Sequence, residues 1–183
     1  MNLVRIYFLL FTLSFATQAL GLTVDEAYQA IPHRKMEYSA AKSTLPLVTK
    51  NDLEKFFRLS DQALVGRIET MKALHEGHAE AFALYQKKID EVVQGLNGIT
   101  NPELTELTGL LKDAIFAQRE YFSNWHNGVV SGTAYHAPGT DTSVRSASGK
   151  LQQLYSVLMQ RYPSEHPNNI DAFYQHLCAL DFL

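Results

Sequence analysis

The chain has 183 residues, of which 46% are hydrophobic and 19% are charged, and its formal net charge at pH 7 is −3. Enough apolar side chains are present to build a core, which excludes a disordered chain. The charge is mildly acidic and no basic tract occurs, so nucleic acid is not a natural partner.

The N-terminal residues have the three-part pattern of a secretory signal peptide. Residues 1–5 carry one arginine, residues 6–15 are almost entirely apolar, and small side chains follow up to Gly21. The apolar run is shorter than the roughly 20 residues that a transmembrane helix needs. We predict cleavage after Gly21 or, as the weaker alternative, after Ala19. An uncleaved membrane anchor is the other interpretation.

Cleavage after Gly21 would leave residues 22–183 as the mature chain. Its composition does not change along its length and no internal repeat occurs, so we expect one domain. The predicted signal peptide, residues 1–21, indicates export to the periplasm or the cell exterior. After cleavage we do not expect an integral membrane protein.

The first predicted element is a short helix over residues 23–30. Thr23 is a good N-cap, and Glu26 three residues later completes a capping box. Pro32 ends this helix. Residues 31–48 show no helical period and predict an extended arm that crosses the surface of the domain.

From Asn51 onward the sequence predicts one very long helix. Apolar or small residues recur at alternating spacings of three and four, which is the seam of a helix that faces partner helices. The seam runs through Phe57, Ser60, Leu64, Ile68, Met71, His75, His78, Phe82, Tyr85, Ile89, Val92 and Leu96. Gly95 and Gly98 end the helix, and a bend at Gly77 would take His78 off the seam.

The remaining residues predict three more helices, each with an N-cap, an apolar face and a glycine or proline stop. They lie between Asn101 and Gly132, between Asp141 and Pro163, and after a cap at Asn168 or Asn169. No segment alternates with a period of two. The sequence therefore predicts an all-α fold: an antiparallel bundle of about four helices, preceded by a short helix and the extended arm.

Two histidines, His75 and His78, occupy the predicted seam of the long helix. At a spacing of three they share a helix face and could bind one metal ion or haem. Zinc proteases space this pair four apart, so that activity is not predicted. The candidates for a third ligand are Glu80, Gln118, His126 and His176. The alternative is a buried polar layer in which Gln118 and Phe122 lie opposite the histidines and only fix helix register.

Two predicted loops contain residues that could have a function. The basic turn with His33, Arg34 and Lys35 could bind an acidic partner, although a solvated turn is the simpler interpretation. The loop with Tyr135 and His136 could take part in acid–base chemistry, but no nucleophile or paired carboxylate accompanies it in the sequence.

Two further features have an ordinary structural interpretation. Cys178 is the only cysteine and has apolar neighbours, so we predict a small buried residue and no internal disulfide. Tyr121, Phe122 and Trp125 are expected in the core, with an apolar ligand groove as the alternative.

The sequence contains no phosphate-binding loop, dinucleotide fingerprint or nucleophile elbow. We therefore expect a non-enzymatic binding or scaffolding protein of the cell envelope, whose partner is a protein or an apolar ligand. We predict no cofactor in that case. The alternative is a helical bundle that binds metal or haem through His75 and His78.

Overall fold

Helical periodicity places most of the described residues in helices. A computed structural model describes residues 22–31, 36–133 and 138–181. These residues form six α-helices and no strand, which confirms the all-α class. The helices are α1 (Val24–Gln29), α2 (Leu47–His75), α3 (Ala81–Asn97), α4 (Thr105–Ser131), α5 (Thr142–Arg161) and α6 (Pro167–Leu180), and short 3₁₀ turns cover Pro102–Leu104 and Pro138–Thr140.

Several predicted features lie outside the described residues. These are the signal peptide at residues 1–21, the basic turn with His33, Arg34 and Lys35, and the Tyr135-His136 pair. Within the described residues, no helix combines the length and the apolarity that crossing a membrane requires.

The predicted capping box of α1 is present. The backbone N–H of Glu26 donates to the Thr23 hydroxyl at 3.2 Å, and the backbone N–H of Thr23 donates to the Glu26 carboxylate at 2.7 Å. These two bonds satisfy N–H groups that a helix start leaves without partners. The helix packs on α2 and buries Ala27.

The predicted single long helix is wrong, because the chain reverses between α2 and α3. Helix α2 ends at His75, and Gly77 adopts a φ of 85°, which favours glycine because a Cβ would crowd the backbone. Helix α3 then folds back onto α2. A Cβ at Gly95 would lie only 2.6 Å from a methyl group of Leu59, so a larger residue there would force the Leu59 side chain or the two helices to shift.

The other helices close the bundle around α2. Helices α3 and α4 are antiparallel, since Phe82 stacks on His126 near one end while Lys112 reaches Asn97 near the other. Helix α6 packs against both α2 and α5. Five helices therefore follow α1, one more than expected, because the long helix is divided.

Helix α6 runs parallel to α2. The ring of Phe57 lies 5.5 Å from that of Phe173, and further along both helices Arg67 donates to the carbonyl of Ala179 at 2.7 Å. This parallel pair forms one side of the core, and the extended arm crosses it before α2 begins.

Candidate functional site

The structure places His75 and His78 in the exposed turn between α2 and α3. His75 is the last residue of α2, and His78 follows the reversal at Gly77, so the two imidazoles do not share a helix face. The Nδ1 of His78 lies 3.1 Å from a carboxylate oxygen of Glu80, and its Nε2 lies 3.9 Å from one of Glu76. The predicted position on a buried seam is therefore wrong for both histidines.

The candidate third ligands do not gather with the two histidines into a metal-binding group among the described residues. Glu80 borders the same turn, but Gln118 is in the core, His126 stacks on Phe82, and His176 pairs with Asp61. Among residues 22–31, 36–133 and 138–181, no group of three or more His, Cys, Asp or Glu side chains is arranged to hold a metal ion. Metal or haem binding by His75 and His78 therefore stays a prediction, and the described residues arrange no third ligand with the two histidines to hold a metal ion.

Gln118 belongs to a polar arrangement that the sequence did not predict. Its amide nitrogen donates to the Leu180 carbonyl at 2.6 Å, and the Arg67 guanidinium donates to the neighbouring Ala179 carbonyl. Both side chains are buried, and burial lowers the pKa of Arg67 to about 10. Because the last carbonyls of a helix lack intrahelical partners and carry partial negative charge, these donors cap α6 from inside the core.

The closest approach to a catalytic pair is His176 with Asp61. The imidazole Nδ1 lies 2.8 Å from the Asp61 carboxylate, while Nε2 accepts the backbone N–H of Tyr38 at 3.2 Å. The imidazole is therefore neutral, with its proton on Nδ1. His176 is 2% exposed, and Phe57 lies against its ring at 4.7 Å, so a substrate cannot reach either nitrogen. We assign this pair a structural role.

The chain matches no protein-family model, no curated protein and no solved structure. Its function must be inferred from its own surface.

One end of the bundle exposes apolar side chains on a rigid base. We call it the end face; it consists of the exposed residues Pro46, Leu47, Val48, Pro102, Pro163 and Pro167. Its segments are joined by hydrogen bonds: the Thr49 hydroxyl donates to Glu103 at 2.9 Å, and the backbone N–H of Thr44 donates to Glu165 at 3.2 Å. These bonds hold the starts of α2 and α4 and the α5–α6 connection together.

Leu47 and Val48 are the most exposed adjacent pair of large apolar residues in the described part of the chain. They are 67% and 66% exposed, whereas other exposed apolar residues such as Leu84 stand singly. Single exposed apolar residues are normal on a protein surface. Two adjacent ones make a larger apolar area, which favours an interaction site. The start of α2 also has no side-chain cap, because Pro46 occupies the N-cap position.

Other candidate features have ordinary roles. Tyr121, Phe122 and Trp125 are buried and pack against one another, so they form core and not an open groove. A shallow polar cleft lies at the start of α5, lined by Asn124, Asn127, Thr140, Asp141 and Thr142. Its carboxylate, Asp141, already accepts the backbone N–H of Ser143 as the α5 cap.

The predicted burial of Cys178 is wrong, since the residue is exposed. Helix α6 directs Phe173, His176, Leu177 and Leu180 into the core. Cys178 follows Leu177 by about 100° around the helix axis and faces outward. Apolar neighbours in sequence do not place a helical residue in the core; its angular position does.

Proposed function

We propose that the chain is an exported, non-enzymatic binding protein whose partner contacts the end face. The main support for this proposal is that Leu47 and Val48 are adjacent and exposed, on a part of the bundle whose segments are joined by hydrogen bonds. Covering such side chains removes apolar surface from water, which favours association at about 25 cal/mol per Å². A protein partner with an apolar contact surface fits this face.

The rigidity of the end face supports this proposal. Proline fixes the backbone φ angle at Pro46, Pro102, Pro163 and Pro167. Arg161 also holds the start of α4, because its guanidinium donates to Glu106 at 2.6 Å. A surface that is ordered before binding loses less conformational entropy when a partner docks, and this raises affinity for a given contact area.

The export part of the proposal rests on the sequence of residues 1–21. A mature protein of the periplasm or cell exterior would begin at Leu22 after the predicted cleavage. Mass spectrometry of the protein recovered from the secreting compartment tests this directly. An intact N-terminus on membrane-associated protein would instead support the uncleaved anchor.

Site-specific photo-crosslinking in the producing cells tests the end face. A photo-reactive residue at Val48 is expected to give a discrete adduct, and the same residue at Leu84 serves as the matched exposed control. Leu47→Asp should abolish the Val48 adduct without changing the circular dichroism spectrum. Equal adducts from both positions, or an adduct that survives Leu47→Asp, would contradict the proposal.

The alternative function is metal or haem binding through His75 and His78. Metal analysis and an absorbance spectrum of protein purified without a metal-affinity tag decide it. Bound metal or a haem band that is lost in His75→Ala and His78→Ala would favour this alternative over the partner-binding proposal.

A further inference from the structure

Residues 36–45, which we call the strap, cross α6 and the start of α2 as a segment without helix. Side chains of the bundle accept the strap's backbone N–H groups in place of a neighbouring strand. The bonds join Met36 to Gln175 at 2.8 Å, Tyr38 to His176 at 3.2 Å, Ser39 to Asn169 at 3.0 Å, Ala40 to Glu54 at 3.1 Å and Thr44 to Glu165 at 3.2 Å.

One of these five acceptors, the imidazole of His176, can no longer accept once it binds a proton. His176 accepts through Nε2 only while it is neutral, whereas Glu54 and Glu165 keep a carboxyl oxygen that can accept in either protonation state. His176 therefore holds the strap only in its deprotonated form.

His176 is the central anchor, because protonation reverses the role of its Nε2. An N–H on Nε2 would face the backbone N–H of Tyr38 at a distance of 3.2 Å, so two donors would oppose each other in a buried place. Meanwhile Nδ1 would still donate to Asp61, and the imidazolium would gain an ion pair there. Protonation therefore costs the contact with the strap while it preserves the contact between α2 and α6.

The charged and titratable groups around His176 are consistent with a strap that detaches when His176 is protonated. Helix α2 presents Asp61 and, nearer the strap's turn, Glu54; the α5–α6 connection presents Glu165. On the strap, burial raises the pKa of the Tyr38 hydroxyl, which stays neutral in acid. Arg67 lies further along α2 and donates to Ala179, and Asp181 at the end of α6 accepts from Ser148. The chain's His33, Arg34 and Lys35 precede the strap and lie outside the described residues.

Beneath the strap lies an aromatic cluster that its release would expose. The ring of Tyr38 lies 5.4 Å from that of Phe57 and 6.0 Å from that of Phe173, and the latter two are almost fully buried. Removing the strap would open an apolar groove between the parallel helices α2 and α6.

We propose that the strap is an acid-sensitive cover: protonation of His176 breaks its bond to Tyr38, the strap leaves, and the aromatic groove between α2 and α6 opens. The bundle itself stays folded, because the Asp61–His176 contact and the remaining core do not depend on the strap's N–H groups.

Hydrogen exchange of the strap as a function of pH tests this proposal. The measurement uses the purified protein and corrects the protection of the Tyr38 amide for its intrinsic exchange rate. At pH values low enough to protonate His176, this protection should fall about tenfold per pH unit, because each opening of the strap binds one proton. Amides of α4 should keep their protection over the same range. Loss of protection in strap and α4 together would overturn the proposal.

Two variants and one direct signal identify the responsible group. His176→Gln offers a carboxamide oxygen to Tyr38 but does not titrate, so strap protection should no longer depend on pH over the range in which it does in the unsubstituted protein. Glu54→Gln should leave the His176-dependent step in place. An unchanged pH profile in His176→Gln overturns the proposal. If that variant does not fold, the imidazole ¹⁵N shifts of the unsubstituted protein decide: strap opening while His176 stays neutral overturns it as well.

Discussion

The side-chain amide of Gln118 donates to the backbone carbonyl of Leu180 across the core, at 2.6 Å. Gln118 is fully buried, and its carbonyl oxygen has no hydrogen-bond partner among the described residues. The residue lies on the predicted seam of α4, yet its partner is the end of α6 and not the histidines. One side chain thus links the middle of α4 to the end of α6.

Gln118→Met should lower the free energy of unfolding by about 1 kcal/mol, because it keeps the volume and removes one buried hydrogen bond. Gln118→Ala should lower it by roughly 2–4 kcal/mol, since a cavity is added to that loss. Urea unfolding measures both changes. Equal losses in the two variants would show that the hydrogen bond, and not packing, dominates.

Tyr85→Phe should leave stability near neutral pH unchanged or raise it by up to about 1 kcal/mol. The Tyr85 hydroxyl is buried and has no partner among the described residues, so its removal relieves a desolvated polar group. Thermal and urea unfolding at pH 7 give the result. A loss above about 1 kcal/mol would indicate that the hydroxyl is satisfied by an ordered water.

Stability should decline as pH rises above about 10, where tyrosines of the unfolded chain ionise. Burial raises the pKa of Tyr38, Tyr85 and Tyr162 in the folded protein, so the unfolded state releases protons first. The stability that these groups contribute is fully present below the pKa that tyrosine has in the unfolded chain. It is lost as the pH rises toward the higher pKa values that these tyrosines have in the folded protein. Burial lowers the pKa of Arg67 to about 10, so this residue makes the folded state more favourable as the pH rises. It is one group against three tyrosines, so the net stability should still decline.

Urea unfolding at increasing alkaline pH, with tyrosinate absorbance as the titration signal, checks this expectation. Tyr85→Phe should reduce the alkaline loss because it removes one of the three groups. A stability curve that stays level through the titration of the unfolded tyrosines would contradict it.

Gly77→Ala should destabilise the protein by about 1–2 kcal/mol, because residue 77 has a φ of 85°. No other atom lies within 4 Å of a Cβ added at this position, so the cost is purely conformational. Gly109→Ala is the matched control: it also meets open space but lies within helix α4, where alanine should stabilise by up to about 1 kcal/mol. Chemical denaturation compares the two, and a continuous α2–α3 helix would instead make Gly77→Ala stabilising.

Cys178 should react with a thiol reagent in the folded protein, since its side chain is exposed on α6. One equivalent of colour with an aromatic disulfide reagent is expected without denaturant. A reaction that requires urea would place the thiol in the core, as its apolar neighbours in sequence suggested.

The sequence by itself determined the features that depend on near neighbours in the chain. Helical periodicity established the all-α class, and Thr23 with Glu26 established the first N-cap, because each rests on residues three or four positions apart. The start at Asn101 and Pro102 was equally readable, although it opens a 3₁₀ turn before α4. These signals are local, so the sequence displays them directly.

Only the tertiary structure decided where the chain reverses and which distant side chains meet. The three- and four-residue spacing continues across Gly77 in the sequence, although His75 and His78 are exposed, so periodicity could not reveal the break. His176 and Asp61 are 115 residues apart, and Gln118 and Leu180 are 62 apart. Such contacts depend on how whole helices pack, and that is a property of the assembled bundle and not of any one segment.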